Sequence, residues 1–271
     1  MRIVLIGAGR VATNLGHALR HAGHEVVAVY SRTQASATAL ANVLGSVATT
    51  DADDLPAEAD VFVMSVKDDV LRPLAERVTR GRDEQLFVHT AGSMPMAVFE
   101  GLTGRYGVLY PMQTFSKERL LDFSDIPLFV EACDDTVLDT VRRLAESLSQ
   151  HVYDCTSEQR KMLHLAAVFA CNFANHCYAL SAELLEHNGL PFDIMLPLID
   201  ETTRKIHQLH PLDAQTGPAV RWDENVIGMQ SQLLAYDPAV RELYEQLSES
   251  IHKKAISYGQ LRLKEDTSHR V

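Results

Sequence analysis

Arg2-Ile3-Val4-Leu5-Ile6-Gly7-Ala8-Gly9-Arg10-Val11-Ala12 opens the chain, and its reading decides the fold. The apolar run Arg2 to Ile6 has the composition of a buried strand, and it enters a Gly-x-Gly-x-x-Ala turn that leads into an apolar helix pattern. Each position has a physical reason: one glycine allows a tight turn, the next lets backbone approach a pyrophosphate, and a small third residue lets helix pack on strand. Ala12 fills the third place. Phosphates would rest at the helix N-terminus, where unsatisfied N–H groups and the positive end of the dipole favour negative charge; Gly7, Gly9, Arg10, Val11 and Ala12 make up this cradle. A second strand pattern, Glu25 to Tyr30, ends in Ser31-Arg32-Thr33. An acidic residue there would hold the ribose hydroxyls of NAD, whereas an arginine between two hydroxyls suits a 2′-phosphate, so the expected cofactor is NADP (NADPH). The alternative is a glycine turn in some other α/β domain, with Arg32 an ordinary surface arginine.

The 271 residues exceed the usual size of one domain, and 46% hydrophobic with 23% charged residues is the make-up of a globular protein. A formal net charge of −11 argues against a nucleic-acid partner, which needs a basic footprint. The N-terminus runs directly into a strand without a signal-type sequence, and no stretch approaches the roughly 20 apolar residues of a membrane span. A cytoplasmic protein without a membrane partner is the expectation. Cys133, Cys155, Cys171 and Cys177 show no CxxC spacing and read as reduced and mostly buried. His207 and His210 lack a carboxylate or cysteine to complete a site, so no metal is expected.

Strand and helix patterns alternate through the first half. A helix over about Gln34 to Leu44 and a short strand near Val47 are followed by strands at Asp60 to Ser65, Gln85 to His89, Tyr106 to Tyr110, Pro127 to Glu131 and His151 to Asp154. Helices are predicted over about Val70 to Thr79 and Asp135 to Gln150. Such alternation means parallel strands with crossover helices. Residues 1–154 therefore read as a doubly wound α/β domain with a mostly parallel sheet. Residues 155–271 read as an all-α domain of four helices: a long one over about Ser157 to His187, one over about Phe192 to Leu209, one after Thr216-Gly217-Pro218, and a last announced by Asp237-Pro238. That last helix is expected to end near Tyr258-Gly259, with the charged tail beyond it frayed.

On the long helix, Lys161, His164, Asn172 and Asn175 fall within an arc of about 80° at 100° per residue. A solvated face would explain the stripe, but histidine and asparagines are poor choices for solubility, and a helix lining a substrate cleft needs such groups. His164 suits proton exchange near neutral pH, Lys161 stabilisation of an oxyanion, and Asn172 orientation of substrate. In Thr216-Gly217-Pro218-Ala219-Val220-Arg221, a threonine cap with arginine in the first turn opposes the helix dipole unless an anion is near; pairing of Arg221 with Asp223 or Glu224 is the plainer account. Loops at the carboxyl ends of strands bind ligands in open α/β sheets, which brings in Val66 and Lys67, Ala91, Gly92 and Ser93, and Gln113.

Taken together, Gly7 to Ala12, Tyr110-Pro111-Met112-Gln113-Thr114-Phe115-Ser116, His164 to Asn172 and Thr216 to Arg221 resemble a family of two-domain, Rossmann-like oxidoreductases whose C-terminal domain has no assigned function. The first domain is similar to that of pyrroline-5-carboxylate and ketopantoate reductases, prephenate dehydrogenase and deazaflavin-dependent NADP reductases. The second is similar to the helical domain of the 6-phosphogluconate dehydrogenase superfamily. The resemblance implies an NADP-binding domain, a cleft between domains and a homodimer formed through the helical half. Hydroxyacid dehydrogenases of that superfamily carry a catalytic lysine on the long helix followed by asparagine, which Lys161 and Asn172 match loosely, leaving His164 to take over the acid/base role. The expected function is an NADP-dependent oxidoreductase moving a hydride between nicotinamide and a small anionic carbonyl, imine or hydroxyacid. Ser93, Gln113, Thr216 and Arg221 are the candidate substrate contacts. The alternative is an NADP-binding regulatory or sensor protein without turnover.

Overall fold

The computed structural model describes residues 1–268. These divide into two compact units, Met1–Ala174 and the chain from Asn175 onward, so the first unit extends past the expected boundary at 154 and takes in the start of the long helix.

The first unit is built on eight strands: β1 (Arg2–Ile6), β2 (Glu25–Tyr30), β3 (Val47–Thr49), β4 (Val61–Met64), β5 (Leu86–His89), β6 (Tyr106–Pro111), β7 (Leu128–Ala132) and β8 (Val152–Asp154). They form one sheet in the order β3-β2-β1-β4-β5-β6-β7-β8. Helices α1 (Arg10–His21), α2 (Gln34–Leu44), α3 (Asp68–Val78) and α4 (Asp135–Glu146) connect strands, as the alternating sequence pattern predicts. Every neighbouring pair is parallel except β6 and β7. No helix lies between those two strands, and without a crossover the chain returns antiparallel.

Strand alternation sends Ile3 and Leu5 to one face of the sheet and Val4 and Ile6 to the other, and all four are fully buried. The first face packs with Leu15 and Leu19 of α1, Leu40 of α2 and Val141 and Leu144 of α4. The second packs with Leu71, Ala75 and Val78 of α3 and with Phe87 and Phe99. Covered faces on both sides are why the parallel strands read as unbroken apolar runs. On α1, Gly16 lies so close to Leu5 and Leu44 that a Cβ would approach them to 2.9 and 2.8 Å. The helix can therefore sit directly on the sheet.

The chain goes from β1 outward to β2 and β3, then crosses back to place β4 on the other side of β1. This reversal opens a crevice at the carboxyl ends of β1 and β4, where doubly wound sheets bind ligands.

The long helix begins as α5 (Ser157–Ala167) behind a capping box, in which Gln159 N–H donates to the Thr156 hydroxyl and Thr156 N–H donates to the Gln159 side chain. It does not continue as a regular α-helix. A π turn over Val168–Phe173 precedes α6 (Ala174–His187), and the wider turn changes the angular phase. The single stripe from Lys161 to Asn175 therefore holds as drawn only for Lys161 and His164, which precede the π turn.

In the second unit, α7 (Leu196–Ile206) and α8 (Pro211–Ala214) are followed by α9 (Pro218–Arg221), α10 (Glu224–Leu233) and α11 (Pro238–Ser268). The Asp237 carboxylate accepts from the N–H groups of Ala239 and Val240, the cap expected at that helix start. α11 runs on to Ser268, which corrects the helix end and the fraying expected from Gly259 onward; only the last part of that tail, 269–271, lies outside the described residues. The cysteines correct the expectation of burial: Cys133 and Cys155 are half-buried, Cys171 and Cys177 are exposed, and all four are free thiols. Among the described residues, no helix is long and apolar enough to cross a membrane.

Candidate functional site

The loop after β1 is fixed by its first glycine. Gly7 adopts φ +119°, and a Cβ there would stand 2.2 Å from the carbonyl oxygen of Ser65, the residue following β4. That oxygen cannot easily retreat, because the Ser65 N–H donates to the Ile6 carbonyl at 2.7 Å. Gly9, the N-cap residue of α1, has extended backbone, and a Cβ on it would meet nothing within 4 Å. It borders a cleft of about 800 Å³ at the ends of β1, β2 and β4. Ala12 lies fully buried beneath, where a larger side chain would separate α1 from the sheet.

Gly7, Gly9, Arg10, Val11, Ser31, Arg32, Val66, Lys67 and Ala91 all line this cleft, so the residues expected around a dinucleotide are gathered in one place. Every residue of its lining belongs to the first unit. Thr33 stands just outside, at the N-cap position of α2, with its hydroxyl donating to Ser36 rather than to the helix backbone. Tyr30, Ser65, Asp68, Asp69, Pro73 and Thr90 complete much of the lining; Ser65, Asp68 and Thr90 lie in the strand-end loops expected to bind ligands, whereas Tyr30, Asp69 and Pro73 were not expected there. Arg10, Arg32 and Lys67 bring positive charge to the cleft, while the open N-terminus of α1 offers N–H donors. This donor set fits a dinucleotide carrying a pyrophosphate and a further phosphate. The Ser93 hydroxyl donates to the Asp68 carboxylate, tying the loop after β5 to the first turn of α3.

Beyond Ala91 the loop is held from beneath by a buried ion pair. The Arg160 guanidinium of α5, 0% exposed, pairs with Glu131 of β7. It also donates to the backbone carbonyls of Ala91, at 3.2 Å, and Met94, at 2.6 Å. Ser157 donates through its N–H and its hydroxyl to Glu131 and accepts from Met96 N–H. His89, at the end of β5, is fully buried and accepts from Ala91 N–H through Nδ1. Burial, with the nearby positive charge of Arg160 second, drives its pKa down to about 3 despite the opposing Pro95 carbonyl. It is therefore a neutral structural group.

This network places α5 against the loop. Gly92 lies so near His164 that a Cβ would come within 2.7 Å of the ring atoms Cγ and Nδ1. On another side the Tyr110 hydroxyl, at the end of β6, is 3.2 Å from His164 Nδ1, and the two rings meet edge to face. Lys161 stands exposed one turn before His164 on the same helix. Asn172 is exposed within the π turn. Gln113 is exposed, and its side-chain oxygen accepts from Thr114 N–H.

Thr216 and Arg221 belong to the second unit, and their local geometry overturns the reasoning that selected them. Gly217, at φ +107°, occupies the N-cap position of α9, and no side chain caps this four-residue helix. Arg221 is its last residue, where a cation suits the dipole, so no anion is needed to balance it. Among the described residues, no group of three His, Cys, Asp or Glu side chains could hold a metal ion.

Residues 1–112 match the model of a Rossmann-like domain, and residues 126–251 match a domain of unknown function, DUF2520. No curated protein matches. A "putative NADP oxidoreductase" from Bacteroides fragilis is 55% identical, with 93% of this chain and 98% of that one covered and a TM-score of 0.90. A protein from Thermotoga maritima shares the fold at 23% identity and TM-score 0.78, covering 93% of this chain and 99% of its own. An imine reductase from Myxococcus stipitatus, solved with NADP+, shares it at 17% identity and TM-score 0.66, covering 96% and 95%. The chain belongs to the family of the Bacteroides fragilis protein, and within this chain the Rossmann-like match precedes the DUF2520 match.

Proposed function

We propose that this member of the DUF2520 family is an NADP-dependent oxidoreductase that moves a hydride between nicotinamide and a small anionic carbonyl, imine or hydroxyacid. The observation that carries the reading is the cleft at the β1/β4 reversal, with Gly9 open to it and Arg10, Arg32 and Lys67 on its walls. The "putative NADP oxidoreductase" from Bacteroides fragilis supports the cofactor.

NADPH, when bound, would supply the hydride, one hydrogen nucleus with its two electrons, to the substrate carbon. The chain's own residues do the rest. The turn at Gly7 and Gly9 with the N-terminus of α1 holds the pyrophosphate, and Ser31, Arg32 and Thr33 hold the 2′-phosphate. Val66, Lys67, Ala91 and Gly92 enclose the nicotinamide end. His164 gives a proton to the carbonyl oxygen or imine nitrogen as the carbon is reduced, so a C=O becomes CH–OH and a C=N becomes CH–NH. Lys161 stabilises negative charge building on that oxygen and attracts the anionic group, while Ser93 and Asn172 orient it.

The same reading has the chain pairing with a second copy through its helical half. Its support is that α6 and α7 bury no residue, while Leu198 and Ile206 of α7 stand exposed. The test of turnover is NADPH consumption with a panel of small keto acids, cyclic imine carboxylates and neutral controls. Consumption restricted to anionic substrates, and lost in His164→Gln, is the expected result. NADPH binding with no turnover on any substrate would favour the sensor alternative instead.

A further inference from the structure

We propose that Tyr110 is the positioning residue of this site: its hydroxyl donates to His164 Nδ1, fixing the neutral imidazole in the tautomer whose hydrogen sits on Nε2. As Nε2 passes that proton to the substrate, Nδ1 takes the hydroxyl hydrogen, the ring stays neutral, and the tyrosine oxygen is reprotonated from solvent. The proposal rests on the reading of His164 as proton donor, but its geometry stands apart from any cofactor.

Three observations carry it. Tyr110 is buried at the end of a central strand, wedged between Phe129, with ring centroids 6.4 Å apart, and His164, at 6.2 Å. A buried phenol needs an acceptor for its proton, and among the described residues His164 Nδ1 at 3.2 Å is the hydrogen-bond partner found for it. Were Nδ1 to carry the hydrogen and donate to Tyr110, the phenolic hydrogen would be left without an acceptor. The satisfied arrangement has Tyr110 donating and Nδ1 accepting, which leaves the ring hydrogen on Nε2.

Secondly, Tyr110 can keep this role across the pH range in which an imidazole exchanges protons. Burial raises its pKa, Cys155 and Cys171 push the same way, and Arg160 opposes them. It therefore remains an O–H donor rather than a phenolate.

Thirdly, the opposite side of the ring is set by an absence. Gly92 offers no Cβ, and the imidazole fills the space that one would take, at 2.7 Å from Cγ and Nδ1. Gly92 itself is held in place because Arg160 binds the Ala91 and Met94 carbonyls on either side of it. Tyr110 and Gly92 thus grip the Nδ1 edge of the ring from two elements, the end of β6 and the loop after β5. One fixes its proton and the other its position. Orientation of this kind matters because a proton donor must lie within hydrogen-bond reach of the atom it serves.

The test is long-range 1H–15N correlation of the full chain labelled with 15N-histidine, recorded above the imidazole titration, with the His164 signals identified by their loss in His164→Gln. The expected wild-type spectrum shows Nδ1 unprotonated and Nε2 protonated as a single tautomer. Tyr110→Phe keeps the ring and should yield a mixture of tautomers, and Gly92→Ala should do the same by displacing the imidazole. A wild-type Nδ1 that carries the hydrogen, or a tautomer unchanged in Tyr110→Phe, would overturn the proposal. The wild-type spectrum decides the first point even if a variant folds poorly. NADPH titration of the same samples separates the two readings: Tyr110→Phe should bind within about twofold of wild type. Failure of wild type to bind NADPH would end the oxidoreductase reading while leaving the tautomer result standing.

Discussion

Replacing Gly7 and Gly9 separately by alanine should split folding from binding, although the two glycines are two residues apart. At Gly7 the new Cβ would lie 2.2 Å from the Ser65 carbonyl oxygen, on a backbone with φ +119°. The positive φ costs an alanine about 1–2 kcal/mol, and forcing backbone apart in a packed core adds about 1–3 kcal/mol. The expected loss of stability is therefore about 2–5 kcal/mol, a sizeable part of the roughly 5–15 kcal/mol that holds a typical protein folded. For a unit of this size that corresponds to a melting temperature lower by about 4–20 °C. At Gly9 the backbone is extended, at φ −83° and ψ −171°, and the Cβ meets no atom of the chain. Its stability should stay within about 0.5–1 kcal/mol of wild type, or rise slightly through a stiffer unfolded chain. The methyl group would occupy the space through which a pyrophosphate approaches the backbone, so NADPH affinity should fall at least about tenfold, a loss of about 1.4 kcal/mol. Thermal unfolding of both variants and calorimetric titration of Gly9→Ala are the assays. A Gly7→Ala protein as stable as wild type, or a Gly9→Ala protein that binds NADPH as wild type does, would refute the reasoning.

Glu131→Ala should destabilise the first unit by about 3–5 kcal/mol, measured by urea unfolding, because it leaves the fully buried Arg160 guanidinium unpaired. Glu131→Leu with Arg160→Met should recover most of that loss, and a double variant no better than the single would show that the ion pair is not the cause. His89 has a folded pKa of about 3 against an ordinary value of 6.5, so between those values the unfolded chain takes up a proton that the folded chain refuses. Its contribution is intact above pH 6.5 and is lost as pH falls toward 3, by up to about 5 kcal/mol at about 1.4 kcal/mol per pH unit. In His89→Leu, urea midpoints followed from pH 7 to 4 should fall less steeply than in wild type; parallel curves would contradict the assignment. Sedimentation should report a dimer that Leu198→Glu weakens, and a wild-type monomer at micromolar concentration would count against pairing through α7.

Much of the fold was legible because its signals are local. The run Arg2 to Ala12 holds in five strand residues, one turn and one helix start all that β1, Gly7 and α1 need, and Asp237 caps α11 where Asp-Pro said it would. The direction of β7 was not legible, since it depends on the absence of a helix from the long loop between Pro111 and Leu128. The π turn at Val168–Phe173 has no marker in a pattern read at a constant angle, so Asn172 was assigned a phase that the helix does not keep. Thr216 looked like a cap only until Gly217, with its positive φ, took that position. Around the site, the glycines and Arg32 follow from one motif, but Arg160 does not. An arginine on a polar helix start reads as exposed, and only the approach of Glu131 from a distant strand makes its burial tolerable. Tyr110 was within the quoted loop motif, yet its link to His164 joins residues that only the tertiary fold brings together.

The most direct test of the account is calorimetric titration of the wild-type protein with NADPH and with NADH, repeated on Arg32→Ala. The account predicts a clear preference for NADPH that collapses in the variant through loss of NADPH affinity alone, because the guanidinium at the end of β2 is assigned to the 2′-phosphate. No binding of either nucleotide by wild type, or equal affinities unaffected by Arg32→Ala, would contradict it.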